Sequence, residues 1–373
     1  MDAVLKTLAN RVLAAVADGT TLCIRGGGTK DFYGETPEGE VLDTRQLTGI
    51  TSYEPSELVV TVRAGTPLDE LEAALAESGQ CLAFEPPRFA SGGTVGGMLS
   101  AGLSGPSRAS VGAVRDYVLG VELLDGRAEL LRFGGTVMKN VAGYDISRLL
   151  AGALGTLGVV TEVSLKVLPI ATTEATLDFD CTQADALRLL NAWGGKSLPL
   201  NASLWRERGG TGCLSLRLRG ATAAVEAACR HLGGERQLPE RAAAFWQSVR
   251  DQQHPWFAKV RDEGLALWRV SVPQTAPPLL LDGEMPWIEW HGGQRWYRRS
   301  VGQPDGVIRA VAKAQGGHAT LFLAPTIDGV HFVPRFEPLA PVLTRLQHAL
   351  QQQFDPHCIF DRRRISAVPA TQV

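Results

Sequence analysis

The sequence predicts an α+β fold in two domains, the first made of two small lobes and the second carrying a C-terminal helix. Three observations point there. Strand-like and helix-like segments mix along the first half without the strict βαβ alternation of a doubly wound sheet. Of 41 glycines, 24 lie in the first 170 residues, whereas all eight tryptophans follow residue 192. A length of 373 residues is a prior for two or three domains. The composition shift falls at Pro169 to Thr176, so the expected domains are 1–170 and 171–373.

Taken in order, Val4, Leu8, Val12 and Val16 recur at i, i+4 and give residues 2–17 one helical face, which Asp18-Gly19 ends. Thr21-Leu22-Cys23-Ile24 reads as a buried strand. Glu57 to Ala64 alternates and is rich in valine and threonine, so it is a strand. Pro67 to Gly79 reads as a helix, and Tyr117 to Leu124 and Val159 to Leu168 as further strands. In the second half, Cys213 to Leu218, Trp268 to Val272 and Ala319 to Leu323 read as strands, and Ala221 to Leu232 as a helix. Leu339, Leu343, Leu346 and Leu350 predict a last helix over 339–354, ended by Asp355-Pro356-His357.

Composition excludes several classes. The chain is 45% hydrophobic and 20% charged, with a net charge of −2, which gives no electrostatic reason for a nucleic-acid or anionic-membrane partner. Met1 to Lys6 lacks the basic stretch and apolar core of a signal peptide, and no uncharged apolar run approaches 18 residues. The expected compartment is the cytoplasm, with any membrane association coming through partners. Cys23, Cys81, Cys181, Cys213, Cys229 and Cys358 are scattered without a Cys-x-x-Cys, so free thiols are expected and no metal site.

The most informative stretch is Arg25-Gly26-Gly27-Gly28-Thr29-Lys30, directly after the first strand. Glycines without a Cβ let successive backbone N–H groups close around an anion, and Arg25 and Lys30 flank them with positive charge. Lys30 is expected to be a solvated cation of modest effect. A second glycine system, Ser91-Gly92-Gly93-Thr94-Val95-Gly96-Gly97, and a third, Gly152 to Val160, follow in the same half. Neither a Gly-x-Gly-x-x-Gly opening a helix nor a Gly-x-x-x-x-Gly-Lys-Ser/Thr occurs. Several separated turns suit a large ligand held through its pyrophosphate, the size of FAD.

In order and spacing, residues 20–170 resemble the PCMH-type FAD-binding domain of the vanillyl-alcohol oxidase and D-lactate dehydrogenase superfamily. The resemblance rests on Arg25 to Lys30, Tyr53 to Leu68, Gly93 to Gly97, Gly112 to Glu122, Lys139 to Asp145 and Gly155 to Thr161. It implies an FAD-binding domain followed by an α+β cap domain. It assigns Arg25, Gly26, Gly27, Gly28, Thr29 and Lys30 to the pyrophosphate. Gly92, Gly93, Thr94, Gly96 and Gly97 go to the pyrophosphate and flavin ring, Ser104-Gly105-Pro106 to further flavin contacts, and Gly158, Val159 and Val160 to the adenine. Many relatives bind FAD covalently through a histidine at the end of the glycine loop. Thr29 stands there, which implies non-covalent FAD.

Thr29-Lys30 and the tail of the second half are most similar to the FAD-binding E subunits of bacterial glycolate oxidase complexes. That resemblance implies a complex acting on a small 2-hydroxy acid, glycolate to glyoxylate. A larger flavoprotein subunit and an iron–sulfur subunit would be its partners. A stand-alone D-2-hydroxy-acid dehydrogenase and a merely structural flavoprotein subunit are the alternatives. Relatives that oxidise the acid carry His-x-Gly-Asp-Gly-Asn-x-His in the second domain. Here the nearest stretch is Gly316 to Phe322, with His318 and, 13 residues on, His331, and it lacks the acid and the asparagine. No catalytic residue is therefore assigned, and electron relay is expected rather than unaided substrate oxidation. Trp287 to Tyr297 reads as a buried strand pair or a subunit interface, with the second domain expected to dock a partner through Trp287, Trp290 or Trp296. Arg362-Arg363-Arg364 could attract an anion, but such a run is most often a solvated tail.

Overall fold

The computed structural model describes residues 2–136, 145–279, 281, 285–300, 303–324 and 333–365. The chain forms two compact units, one of residues 1–103, 113–170 and 338–373, the other of 104–112 and 171–337.

The first unit begins with the helix Ala3–Asp18. The Asp2 side chain caps it by accepting from the Leu5 N–H at 2.9 Å, and Gly19 closes it in the left-handed region at φ 67°. Leu8, Ala9, Val12 and Ala15 turn inward onto Leu22, Leu42, Leu47, Leu124, Val159, Ile359 and Phe360. The strand Leu22–Arg25 lies parallel to Glu40–Asp43, and on its other side Leu22 bridges to Phe360. A five-stranded antiparallel sheet completes the unit, in the order Ile50–Glu54, Val59–Arg63, Val159–Lys166, Val118–Leu124, Leu130–Gly134.

The second unit is built on an eight-stranded sheet ordered Glu235–Arg236, Thr173–Asp180, Cys213–Gly220, Leu200–Arg206, Trp287–Glu289, Gln294–Arg299, Ala266–Ser271, His318–Leu323. Every pairing in it is antiparallel. Helices Gln183–Gly194 and Thr222–Leu232 pack their apolar faces on Leu177, Leu214, Leu216 and Leu218.

Three expectations differ from this. The C-terminal segment belongs to the first unit, because Leu22 N–H donates to the Ile359 carbonyl at 2.6 Å and Asp361 N–H returns to the Leu22 carbonyl at 3.0 Å. Residues 104–112, read as part of the first domain, fall in the second unit. Of the tryptophans expected at a partner surface, Trp287 and Trp296 are buried and sit directly opposite each other, the buried strand pair that was the other reading, while Trp290 is half-buried. The last helix, Pro341–Phe354, instead carries exposed apolar residues, Val342, Leu343, Leu346 and Leu350, with Leu339 just before it.

Candidate functional site

The strand Leu22–Arg25 delivers the glycine turn into an open cleft. Its walls comprise Cys23 to Asp31, Pro37, Thr44, Ala64, Thr94, Gly96, Gly97, Ser100, Ala101, Leu154, Gly155, Val160 and Arg364, all of them in the first unit.

The turn and the second glycine system touch so closely that side chains are excluded. A Cβ on Gly27 would fall on the Gly92 carbonyl, with the carbonyl carbon only 2.6 Å away. One on Gly26 would crowd Thr94, with Cγ2 at 3.2 Å. Gly28 adopts φ 71°, a left-handed conformation that glycine reaches without steric cost.

Among the described residues, the backbone amides of Gly27, Gly28 and Thr29 meet no hydrogen-bond acceptor. Unmet backbone donors are unusual in folded chains, and three in succession beside a cleft make an anion cradle. The second system is more committed than its glycines suggest. Val95 N–H donates to Thr66 O at 3.0 Å, Gly96 N–H to Ala64 O at 2.7 Å, and Gly97 N–H to Thr94 Oγ1 at 3.2 Å. Thr94 thereby caps the short helix Val95–Ala101. Among the described residues, the amides of Ser91, Gly92, Gly93 and Thr94 in that system meet no hydrogen-bond acceptor.

Charge is arranged unequally around the turn. Lys30 is 9% exposed, contrary to the solvated cation expected, with Nζ 3.4 Å from Thr29 Oγ1 and 5.8 Å from the Phe89 ring centroid. Arg25 is exposed and already paired with Asp31 at 2.7 Å. Arg364, expected in a solvated tail, is buried and lines the cleft. Its guanidinium donates to the carbonyls of Tyr33 at 2.6 Å, Asp31 at 3.3 Å and Glu35, and its own carbonyl accepts from Glu35 N–H at 3.0 Å. Burial holds the Arg364 pKa below the usual arginine value and pushes the Cys23 thiol up, so Cys23 stays a protonated, inert wall residue.

Of the residues singled out from sequence, the cleft gathers Arg25, Gly26, Gly27, Gly28, Thr29, Lys30, Thr94, Gly96, Gly97 and Val160. Gly92 and Gly93 stand behind them, Gly92 against Gly27 and Gly93 with its missing Cβ 3.3 Å from Thr29 Oγ1. Gly158 and Val159 do not line it: Gly158 packs on the Leu124 carbonyl and Val159 is core. Ser104, Gly105 and Pro106 are not among its walls and belong to the second unit. Within that unit Trp290 Nε1 donates to the Gly105 carbonyl at 3.0 Å and His291 lies between Ser203 and Ser110, each 3.0 Å from one ring nitrogen. Lys139 to Tyr144 and His331 lie outside the described residues. Sequence reasoning missed Thr44, set Arg364 aside as tail although its run could attract an anion, and passed over Gly155, which its own third glycine system contained.

A glycine-cradled anion cleft on this α+β scaffold defines a flavoprotein domain, and residues 5–134 match the family model described as an FAD binding domain. The chain is 41% identical over 362 residues to the glycolate oxidase subunit GlcE of Escherichia coli (strain K12), covering 97% of each. It therefore belongs to the GlcE family of glycolate oxidase subunits. Shorter similarities reach the glycolate oxidase subunit GlcD of Bacillus subtilis, 35% identical over 41% of this chain and 33% of that one. The D-lactate dehydrogenase of Archaeoglobus fulgidus is 33% identical over 50% and 42%. A solved alkyldihydroxyacetonephosphate synthase shares the fold at a TM-score of 0.65 and 14% identity, over 94% of this chain and 74% of its own.

Proposed function

We propose that this chain is the FAD-carrying subunit of a glycolate oxidase complex converting glycolate to glyoxylate, and that it relays electrons rather than oxidising the acid unaided. The full-length similarity to a glycolate oxidase subunit carries the reading, since both chains align over 97% of their lengths. The cleft fits the cofactor. The amides of Gly27, Gly28 and Thr29 and the Lys30 ammonium would hold the diphosphate, Gly26 would let the turn close, and Gly92, Gly93 and Thr94 would contribute from the facing turn. Arg25 would act from the rim, Gly96 and Gly97 as close-packed wall, and Val160 against the adenine, with Gly158 and Val159 fixing its strand. Ser104, Gly105 and Pro106 would meet the flavin ring. FAD, when bound, supplies an acceptor for an electron pair that can also be passed on singly.

Attachment is non-covalent because Thr29 occupies the loop position and a hydroxyl cannot make the histidyl bond. The relay reading is supported by the stretch Gly316 to Phe322, which lacks the aspartate, the asparagine and the second histidine of the motif that acid-oxidising relatives carry. Dispersed cysteines support an iron–sulfur partner subunit alongside the larger flavoprotein subunit. The compartment that suits six unpaired thiols is the cytoplasm. No helix of the described residues is long and apolar enough to cross a membrane.

The test is anaerobic reduction. The purified chain should retain FAD, release it on acid precipitation, and stay oxidised when glycolate or D-lactate is added. Within the complex its flavin should bleach with glycolate. Rapid bleaching of the isolated chain by either acid would instead establish a stand-alone dehydrogenase. A flavin that stays oxidised in the working complex would leave the chain a structural subunit.

A further inference from the structure

The helix Pro341–Phe354 is attached to its unit mainly by its last turn. Only Gln351 and Phe354 are buried on it; Phe354 packs edge-on against Phe133 at 5.9 Å, its carbonyl accepts from Gly126 N–H at 2.8 Å, and the Gln353 carbonyl accepts from Arg127 at 2.9 Å. The preceding turns carry Leu339 at 45% exposure, Val342 at 57%, Leu343 at 51%, Leu346 at 57% and Leu350 at 36%. Spacings of 4, 3 and 4 from Leu339 to Leu350 put these on one stripe. A helix of this length is marginal in water alone and gains its stability from burying such a face. A contiguous stripe is also unlike the scattered apolar residues of an ordinary surface.

We infer that this face is the seat of another subunit of the oxidase, one presenting an apolar groove flanked by carboxylates. The inference rests on the subunit reading above and adds where the contact lies and what recognises it. Two observations select that occupant over a second copy of this chain. The helix contains no Asp or Glu, and its only ionisable side chains are Arg345 and His348. Two copies laid face to face would set cation near cation, whereas flanking carboxylates would pair them. Size argues the same way. Fourteen residues span roughly 21 Å, and one such face offers on the order of a few hundred Å², below the roughly 800 Å² per partner of a stable interface. The stripe therefore suits the apolar centre of a larger heteromeric contact better than a self-contained dimer seam.

The experiment coexpresses the full chain with the other oxidase subunits, purifies through a tag on the larger flavoprotein subunit, and measures recovery of this chain and its FAD content. Wild type should be recovered with the complex. The double variant Leu343→Asp/Leu346→Asp should be recovered at least tenfold less while retaining wild-type FAD content and thermal midpoint, because the altered residues touch solvent. Arg345→Glu, a single exposed change, should lower recovery severalfold. Undiminished recovery of the double variant overturns the assignment of the face, and undiminished recovery of Arg345→Glu overturns the carboxylate-flanked groove. A wild-type homodimer in solution, abolished by the double variant, overturns the occupant in favour of a second copy. Failure of wild type to copurify removes the subunit reading and this inference together.

Discussion

Gly27 stands against Gly92 so closely that Gly27 cannot gain a side chain. A Cβ on Gly27 would lie on the Gly92 carbonyl, 2.6 Å from its carbon, and both partners are backbone that cannot swing aside. The two glycine turns are therefore one assembly, and the amides of Gly27, Gly28 and Thr29 keep their aim only while it is closed. Gly27→Ala should open it and lower FAD affinity more than tenfold, read by fluorescence of released flavin. Gly194→Ala, where a Cβ meets nothing within 4 Å, is the control and should leave occupancy unchanged. Full flavin occupancy in Gly27→Ala would refute the cradle. The reason is steric, since the Gly92 carbonyl occupies the place of the added Cβ.

The two cations of the turn should differ. Lys30 is nearly buried, so a bond from its ammonium to a phosphate oxygen would be worth about 1.5–3 kcal/mol, and Lys30→Ala should cost ten- to hundredfold in FAD affinity. Arg25 is exposed and engaged by Asp31, where an ion pair contributes about 0–1 kcal/mol. Arg25→Ala should therefore weaken FAD less than about fivefold. Titration of apoprotein with FAD ranks the two, and the reverse order would disprove this view of the site.

What was legible in the sequence follows from what local chemistry enforces. Capped helices such as Ala3–Asp18 and valine-rich strands such as Val59–Arg63 announce themselves, because Asp2, Gly19 and the alternation act within a few residues. The cradle was legible because close backbone approach demands glycine whatever the partner is. Long-range returns were not. Nothing local to Arg364 says that Phe360 pairs beside Leu22 and brings the arginine to the cleft wall. Periodicity likewise fixed the face of Leu339, Leu343, Leu346 and Leu350 but not whether it meets the core. Tryptophan enrichment did not distinguish an interface from the buried pair Trp287 and Trp296.

Trp290 and His291 both adopt left-handed backbone, at φ 53° and 55°, at a cost of order 1 kcal/mol each. Contacts to residues 104–112 and Ser203 offset it. Trp290 Nε1 reaches Gly105 O, the Arg108 guanidinium lies 4.5 Å from the Trp290 ring centroid, and the backbone N–H of His291 donates to Ser203 Oγ at 2.9 Å. Trp290→Phe keeps the ring and loses the donor. Amide hydrogen exchange at residues 104–112 should accelerate roughly five- to tenfold, as loss of about 1 kcal/mol implies. Burial lowers the His291 pKa to about 4 from an ordinary 6.5. The open segment then binds the proton more readily, so protection of 104–112 is full above pH 6.5 and falls as pH drops towards 4. Exchange unchanged in Trp290→Phe would show that the indole bond does not hold the segment.

Glu289 gives the opposite pH dependence. It lies in the strand pair at the centre of the eight-stranded sheet, 4% exposed, and Oε1 accepts from Trp287 Nε1 at 3.0 Å and Trp296 Nε1 at 2.9 Å. Burial raises its pKa to about 7 against an ordinary 4.5, and the two indole bonds offset only part of that rise. The folded chain therefore holds the proton over a range in which the unfolded chain has released it. Stability from this group is complete below pH 4.5, is lost as pH rises to about 7, and is constant beyond, a change of roughly 3 kcal/mol at most. Glu289→Gln preserves the shape and an acceptor oxygen while abolishing the titration. The difference in thermal midpoint, variant minus wild type, should grow between pH 4.5 and 7 and level off above. His254 and His291 are untouched by the change, so their own pH dependence cancels in that difference. A difference that stays flat across the range would mean that Glu289 ionises at an ordinary pH in the folded chain.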